Sequence, residues 1–314
     1  MLDAQGLRFR AAFFHSLRSF FVSQQFLEVD TPIRQPLLIP EANITPLASE
    51  GWFLQASPEL CMKRLLAAGC GRIFQLCNCF RQGERGRLHL EEFTMLEWYR
   101  TDAGYEDLMT DCENLVCFLL AELGGLEGGV IDEDSIPVGP GAGGDGHVVS
   151  MCPPWDRLSV HAAFARYSPL SLEQALAAGS FDEVLVEHVE PFLGVERPLF
   201  LYDYPVELGS LARRKEGCAH LAERFELYIN GIELANGFSE LTDPREQRLR
   251  FEQELRLMGQ GGRQPAKMPE RFLEDLASLD RAAGIALGID RLLMLLMGKT
   301  SIGEVVSFAP DDFN

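Results

Sequence analysis

Apolar side chains recur at helical spacing from the start of the chain. Phe9, Phe13, Leu17, Phe20 and Phe21 fall on one face, which predicts an amphipathic helix over residues 7–25. The spacing then tightens. Residues 26–31 read as a short strand closed by Pro32, and residues 52–56 as another. Ser57 followed by Pro58 has the form of an N-cap and a first helical position, predicting a helix through Leu66. Over residues 72–100 two alternating runs flank a glycine-bearing loop and predict an antiparallel pair.

Further along, a glycine-rich acidic stretch at about 124–147 is expected to be a surface insertion, because the segments on either side contribute to one site. Helices are predicted near 159–166 and 171–178, the second with a capping box of Ser171 and Gln174. Residues 199–204 read as a strand, and residues 224–241 as a hairpin turning at Asn230-Gly231, a type I′ signal. Asp243, Pro244 and Glu246 start a helix that stops at Gly259. The pattern ends with a strand over 284–289 and an all-apolar, buried helix over 292–297. Strands and helices do not alternate as βαβ units. We therefore predict an α+β fold: one domain over 1–314, a mainly antiparallel sheet flanked by helices.

Composition changes this picture little. A hydrophobic fraction of 46%, 10% aromatics and 24% charged residues are ordinary for a soluble enzyme. No apolar run is long enough for a bilayer, and the N-terminus lacks the form of a signal peptide, so a cytoplasmic protein without a membrane partner is expected. Charge matters more. A net charge of −19 disfavours a polyanion, since nucleic-acid affinity comes mainly from Lys and Arg on phosphates. The eight cysteines contain no C-x-x-C pair, and Cys77 and Cys79 read as packing thiols in a strand.

The two hairpins carry the candidate chemistry. Alternation places Phe93, Met95, Glu97 and Tyr99 on one face of the return strand, with Arg81 at the loop, able to hold a phosphate or carboxylate bidentately. In the second hairpin a two-residue turn sets Tyr228 opposite Glu233 and Glu226 opposite Ala235. Glu226 and Glu233 are then diagonal neighbours, about 7–8 Å apart, suited to Mg²⁺. Strict alternation separates Glu233 from Asn236, Phe238 and Glu240, so a β-bulge between Leu234 and Phe238, with the extra residue near Gly237, is expected to bring them to one face. Taken alone, the first hairpin is equally well read as ordinary sheet with a solvated end, and the second is better read as two solvated glutamates on an exposed sheet face. Arg213, Arg214 and Lys215 read as a solvated basic run, and His161, His188 and His220 have no partner pattern.

Together these segments resemble the class II aminoacyl-tRNA synthetases of the lysyl type, and within them the stand-alone paralogues that modify elongation factor P. The first helix plus residues 26–32, Phe-Leu-Glu-Val-Asp-Thr-Pro, resembles motif 1, the dimer-forming element. Phe80-Arg81 through Phe93-Thr-Met-Leu-Glu-Trp-Tyr99 resembles motif 2, and residues 284–291 resemble motif 3. The likeness covers nearly the whole chain. It implies ATP and Mg²⁺, lysine or β-lysine as substrate, elongation factor P as acceptor and a homodimer. By that resemblance Arg81 binds the α-phosphate and substrate carboxylate, and Phe93 and Arg291 sandwich the adenine, which makes Arg81 and Arg291 the catalytic pair. His89, Gly83, Glu84, Leu234 and Gly288 join them around ATP, and Glu226 and Glu233 hold the metal. Asn236 meets the substrate carboxylate and Glu59 its backbone amine, beside Ser57 and Ala286. Tyr99 and Glu240, with Glu97 behind, receive the terminal ammonium.

The pattern departs from the lysyl type in three places. Gly83 stands where motif 2 carries glutamate, with Glu84 next; Leu90-Glu91 replaces Asn-Pro; and Ala286 stands where the tRNA synthetases carry glycine. Two other functions compete. A tRNA ligase requires an anticodon domain, for which neither end of the chain leaves room, so tRNA is not the expected acceptor. A non-catalytic lysine sensor would shed its phosphate and metal residues, yet Arg81, Glu226, Glu233 and Arg291 are all present.

Overall fold

Asp3 opens the first helix. Its Oδ1 accepts the Gly6 N–H at 2.7 Å, satisfying one unpaired donor of the first turn, and α1 runs Ala4–Ser23. The computed structural model describes residues 1–132, 134–139, 146–260 and 267–313. After α1 come β1 (Leu27–Glu28), β2 (Arg34–Gln35), β3 (Ala48–Ser49), β4 (Trp52–Leu54), α2 (Glu59–Ala67), β5 (Arg72–Phe80), β6 (Glu92–Thr101) and α3 (Tyr105–Leu123). The middle of the chain forms β7 (Ser135–Val138), β8 (His147–Ser150), β9 (Asp156–Ser159), α4 (Val160–Tyr167), α5 (Leu172–Ala178), α6 (Phe181–Val184) and β10 (Leu199–Pro205). The last third forms β11 (Arg214–Lys215), β12 (Cys218–Ile229), β13 (Ile232–Ser239), α7 (Pro244–Gln260), α8 (Glu270–Leu276), β14 (Ala282–Gly288) and α9 (Ile289–Leu296).

The main sheet has the order β1-β5-β6-β14-β13-β12-β10-β9, with β11 on β12. Its pairs are antiparallel except β1 with β5 and β9 with β10, so the α+β expectation holds. One face of the sheet is closed by α1, α3 and α9 over a core that includes Phe13, Phe21, Phe74, Trp98, Leu119 and Leu287. That closure leaves the opposite face of β6, β13 and β14 for chemistry. Two smaller cores flank it: one joins α4, α5 and α6 to Leu201 and Tyr204, and the other joins α2, α7 and α8 to Ile73 and Tyr99.

Several predicted elements shift. The strand expected over 26–31 is only Leu27–Glu28, and the strand expected over 52–56 ends at Leu54 in a separate small sheet with β2 and β3. Helix α2 begins one residue later than expected, with Pro58 as its cap. Ser57 Oγ still accepts the Glu59 N–H at 3.0 Å, but its proton goes to Glu97. Helix α3 has no counterpart among the predicted elements. The capping box of Ser171 and Gln174 forms as expected. Within the glycine-rich stretch, β7 pairs with β8 and buries Ile136, Val138 and Val149 in the main core; residues 133 and 140–145 lie outside the described residues. Lys215 is not simply solvated. Its Nζ donates to Asp203 Oδ2 at 2.5 Å and to Tyr105 at 3.2 Å. All eight cysteines are free, and no helix among the described residues is long and apolar enough to cross a membrane.

Candidate active site

A cavity of about 620 Å³ opens on the uncovered sheet face. Strand alternation builds its floor. In β6, Phe93, Met95, Glu97 and Tyr99 face the cavity while Leu96 and Trp98 enter the core. In β14, Ala286 sits between its cross-strand partners Asn236 and Glu97, and Gly284 between Phe238 and Tyr99. The β12–β13 turn has positive φ at Asn230 and Gly231, as type I′ requires, and Tyr228 lies opposite Glu233 as expected.

The expected bulge is present, but at Leu234, the first residue of the expected span, and not near Gly237. Leu227 pairs with Ala235 and Glu226 with Asn236, not with Ala235, so the extra residue is Leu234. Leu234 and Ala235 both join the core, which turns Glu233 and Asn236 to the same face. The Glu233 carbonyl takes its hydrogen bond from Arg291 Nη1 at 2.7 Å, which ties the bulge to the start of α9. Ladder regularity is given up where a motif 3 side chain supplies the missing donor.

At one end of the cavity lies a cage of carboxylates. Glu97 accepts from Ser57 Oγ and from the Tyr99 hydroxyl, both at 2.6 Å. Burial, then the charge of Glu59, pushes the Glu97 carboxyl from 4.5 up to about 8. Glu240 is also pushed up to about 8 by burial, although Lys63 opposes this. Lys63 was not anticipated from the sequence. Its Nζ pairs with Glu59 Oε1 at 2.5 Å and contacts Glu240 Oε2. Burial lowers its pKa, but Glu240 and Glu59 outweigh burial, so it stays an ammonium. The ammonium expected from a substrate at Glu240 is thus met, on one side, by one of the protein's own. The sequence signal was a lysine four residues after Glu59 inside an apolar helical run. Glu41, also unanticipated, lines the cavity and is pushed up to about 7 by burial, then by Glu59.

Gly284 makes room for this cage. A Cβ there would stand 2.2 Å from the Tyr99 ring and 2.4 Å from Glu240 Oε1. We expect Gly284→Ala to displace both groups. The overpacking should cost about 1–3 kcal/mol of stability and lower substrate activation at least ~10-fold. Thermal unfolding and substrate-dependent exchange check this; a variant equal to the wild type in both would show that the floor yields.

The other end is basic. Arg81 lies 5.2 Å above the Phe93 ring, its Nε is buried without a partner, and Glu84 is 3.9 Å from Nη1. The loop behind it is clamped by Glu91, which accepts from Gly83 N–H at 2.7 Å and from Arg85 at 2.5 Å. Glu91, read above only as a lost nucleotide contact, therefore holds the loop, and Gly83 is turned to it instead of lining the cavity. Arg291 Nη2 lies 2.7 Å from His89 Nε2. Burial, then Arg291, lowers the histidine pKa, so the neutral ring accepts. Next to Arg291, Asp290 accepts from Arg10 of α1 at 2.8 Å and from the Thr94 N–H at 2.7 Å, joining the first helix to both chemical motifs.

Glu226 and Glu233 face this basic end. Glu226 Oε2 accepts from Tyr204 at 2.5 Å and Tyr228 at 2.7 Å, and Oε1 accepts from Arg224 at 2.7 Å. One lone pair of Oε1 remains. Desolvation and then the charge of Glu226 push the Glu233 carboxyl up, opposed by Arg291 Nη1 at 3.6 Å. Two carboxylates that repel each other beside open space fit a hard divalent cation. Gly288 and Leu234 border the same cavity. His161, His188 and His220 are exposed and do not line the cavity.

Comparison with known proteins gives concordant results. The family described as tRNA synthetases class II (D, K and N) matches residues 4–312. Proteins named elongation factor P–(R)-β-lysine ligase from Salmonella paratyphi B (strain ATCC BAA-1250 / SPB7) and Klebsiella pneumoniae (strain 342) are each 37% identical to this chain. Each match covers 96% of this chain and 94% of the relative.

Proposed function

The chain belongs to the class II tRNA synthetases of the aspartate, lysine and asparagine group, and from that membership we propose that it is an ATP-dependent ligase. It activates lysine or β-lysine as an adenylate and transfers the acyl group to a lysine side chain of elongation factor P. The observation that carries this reading is the polarity of the cavity, with carboxylates and Tyr99 at one end and Arg81, Phe93 and Arg291 at the other. A zwitterion with an extra ammonium fits that polarity; a neutral side chain would leave buried carboxylates unpaired.

In the first step a substrate carboxylate oxygen attacks the α-phosphorus of ATP, forming the mixed anhydride and expelling pyrophosphate. No general base is needed, because the nucleophile is already ionised. We assign Arg81 to the α-phosphate and the substrate carboxylate, where its charge offsets what accumulates on the transferring phosphoryl group. Phe93 and Arg291 take the adenine, with His89, Glu84, Leu234 and Gly288 around the nucleotide. Mg²⁺ would be held by Glu226 and Glu233 and would neutralise phosphate charge. Asn236, whose Oδ1 accepts from Arg224 at 3.3 Å, keeps its NH₂ for the substrate carboxylate. Glu59 takes the amine nearer the carboxylate, and Glu97, Tyr99 and Glu240 take the terminal ammonium. In the second step the neutral amine of an acceptor lysine attacks the anhydride carbonyl, releasing AMP and a proton and leaving an amide.

The decisive experiment mixes enzyme, ATP, β-lysine and elongation factor P, with total tRNA in a parallel arm. Peptide mass spectrometry should place one added acyl group on a single lysine. Acylated tRNA with unmodified elongation factor P would overturn the acceptor assignment. The same assay tests Ala286. Its methyl lies between Asn236 and Glu97 and crowds an amine on the α-carbon more than one placed a carbon further on. Ala286→Gly should raise activity on α-lysine relative to β-lysine by about 10-fold, the range of a single packing contact. An unchanged ratio removes Ala286 from specificity.

We place the homodimer on the motif 1 surface. Val22, Leu27 and Ile33 are 62%, 57% and 48% exposed along α1, β1 and the segment after it, an apolar strip suited to a two-fold contact. Sedimentation at micromolar concentration should give a dimer, and Leu27→Glu with Val22→Glu a monomer. A wild-type monomer contradicts the assignment.

A further inference from the structure

Lys63 is a cation inside a site that recognises cations. It projects from α2 with its side chain 2% exposed, and the Phe238 ring lies 5.0 Å from Nζ. One partner is local and one distant: Glu59 comes from the first turn of the same helix, and Glu240 from just beyond β13. A buried ammonium held only for stability needs its charge balanced, and a single carboxylate would do that. Here it touches one oxygen on each of two carboxylates, Oε1 of Glu59 and Oε2 of Glu240. Glu59 lines the cavity, and Glu240 lies just beneath its floor at Gly284. Glu240 Oε1 is buried without a hydrogen-bond partner and is directed at Gly284 and Tyr99 on the floor. Glu59 lines the cavity nearer Arg81 and Glu41.

We infer that Lys63 is a specificity-determining residue. By tying Glu59 to Glu240 it fixes the spacing of their two remaining oxygens, so that the pocket fits a substrate bearing two ammonium groups at separate positions on one chain. This rests on the lysine-activating reading above. When ionised, Glu59, Glu97 and Glu240 together with Lys63 leave two negative charges, the number that a diammonium chain neutralises, and its carboxylate is left for Arg81. Without Lys63, Glu59 and Glu240 have no internal cation between them. They are then free to converge on one ammonium or to share a proton. A chain with a single terminal ammonium is then held about as well as one with two, and selectivity that came from spacing is lost.

The test compares lysine and β-lysine, each with two ammonium groups, against 6-aminohexanoate, which has one. ATP–pyrophosphate exchange is measured for the wild type, Lys63→Met and Lys63→Arg, and kcat and KM are resolved separately. The wild type should prefer the diammonium substrate by at least about 10-fold in KM. In Lys63→Met that preference should collapse to within about threefold, through a higher KM for the diammonium substrate and little change in kcat. Lys63→Arg keeps the charge and the double pairing, so it should keep the preference. A purely structural lysine predicts a lower melting temperature for Lys63→Met with the preference unchanged, and that result overturns the inference. If Lys63→Met does not fold, Lys63→Arg decides: a folded arginine variant that has lost the preference overturns it equally. Failure of the wild type to exchange with either lysine or β-lysine refutes the lysine-activating reading itself, a different outcome from an unchanged preference in an active variant.

Discussion

Arg81→Ala is expected to lower ATP–pyrophosphate exchange by about 10²–10³-fold while the fold survives, the scale on which one preorganised charge-stabilising donor acts. Its backbone is held independently of the side chain: the N–H donates to the Glu91 carbonyl at 2.9 Å, and residue 81 bridges Pro46. Its guanidinium makes only loose internal contacts, 5.2 Å to the Phe93 ring and 3.9 Å to Glu84, and leaves Nε buried without a partner. A buried donor kept unpaired is poised for a ligand that arrives with the reaction, because leaving it unmade in the resting protein costs about 1–3 kcal/mol. Removing it should therefore not lower stability, and melting temperature should stay at or above that of the wild type. Arg81→Lys should recover only part of the rate, since a point charge cannot reproduce a planar fork on two oxygens. Exchange by the alanine variant at the wild-type rate would falsify the assignment of Arg81 to the reacting phosphate.

The second large effect is on pH. KM for lysine should fall by up to about tenfold per pH unit between pH 6 and pH 8 and then level off. Burial first, and Glu59 next, raise the Glu97 carboxyl from 4.5 to about 8. Glu240 is raised as far, but it faces the Lys63 ammonium, so the cage proton sits on Glu97, whose two partners are hydroxyls able to donate or accept. Below pH 8 Glu97 is neutral and an incoming ammonium must expel its proton; above pH 8 the carboxylate is already formed. The terminal ammonium of the substrate remains charged until about pH 10, so the falling KM reports the enzyme. Glu97→Gln fixes the neutral state and should hold KM at its low-pH value across the range. A wild-type KM that is flat from pH 6 to 8.5 rules out Glu97 as the titrating group.

Most of the site was legible because its chemistry is local in sequence. Ser57 and Glu59 open one helix, Arg81 through Tyr99 form one hairpin, and Glu226 through Glu240 form another. Side-chain alternation within a hairpin needs only its own period, and Asn230-Gly231 fixes its turn through two positive φ values that few other pairs adopt. For these segments the residue types alone sort the cavity into a basic and an acidic end.

The parts that were misplaced or missed depend on contacts between segments far apart in the chain. The bulge lies at Leu234, where Arg291 from the start of α9 satisfies the Glu233 carbonyl. Nothing within residues 232–241 distinguishes that position from Gly237. Glu226 reads in sequence as a free carboxylate, but Tyr204 on β10 and Tyr228 on its own strand occupy one of its oxygens. Lys63 drew no reading from the sequence; only the packing of α2 against the sheet buries it and brings Glu240 to it. Sequence by itself determined the fold class, the strand faces and the residue types of the site, because periodicity, turn geometry and motif order act over a few neighbouring residues. Tertiary structure alone decided the register beyond the bulge, the burial and the charge pairing. These depend on which strands lie side by side, and a carboxylate's protonation depends on what has been packed around it.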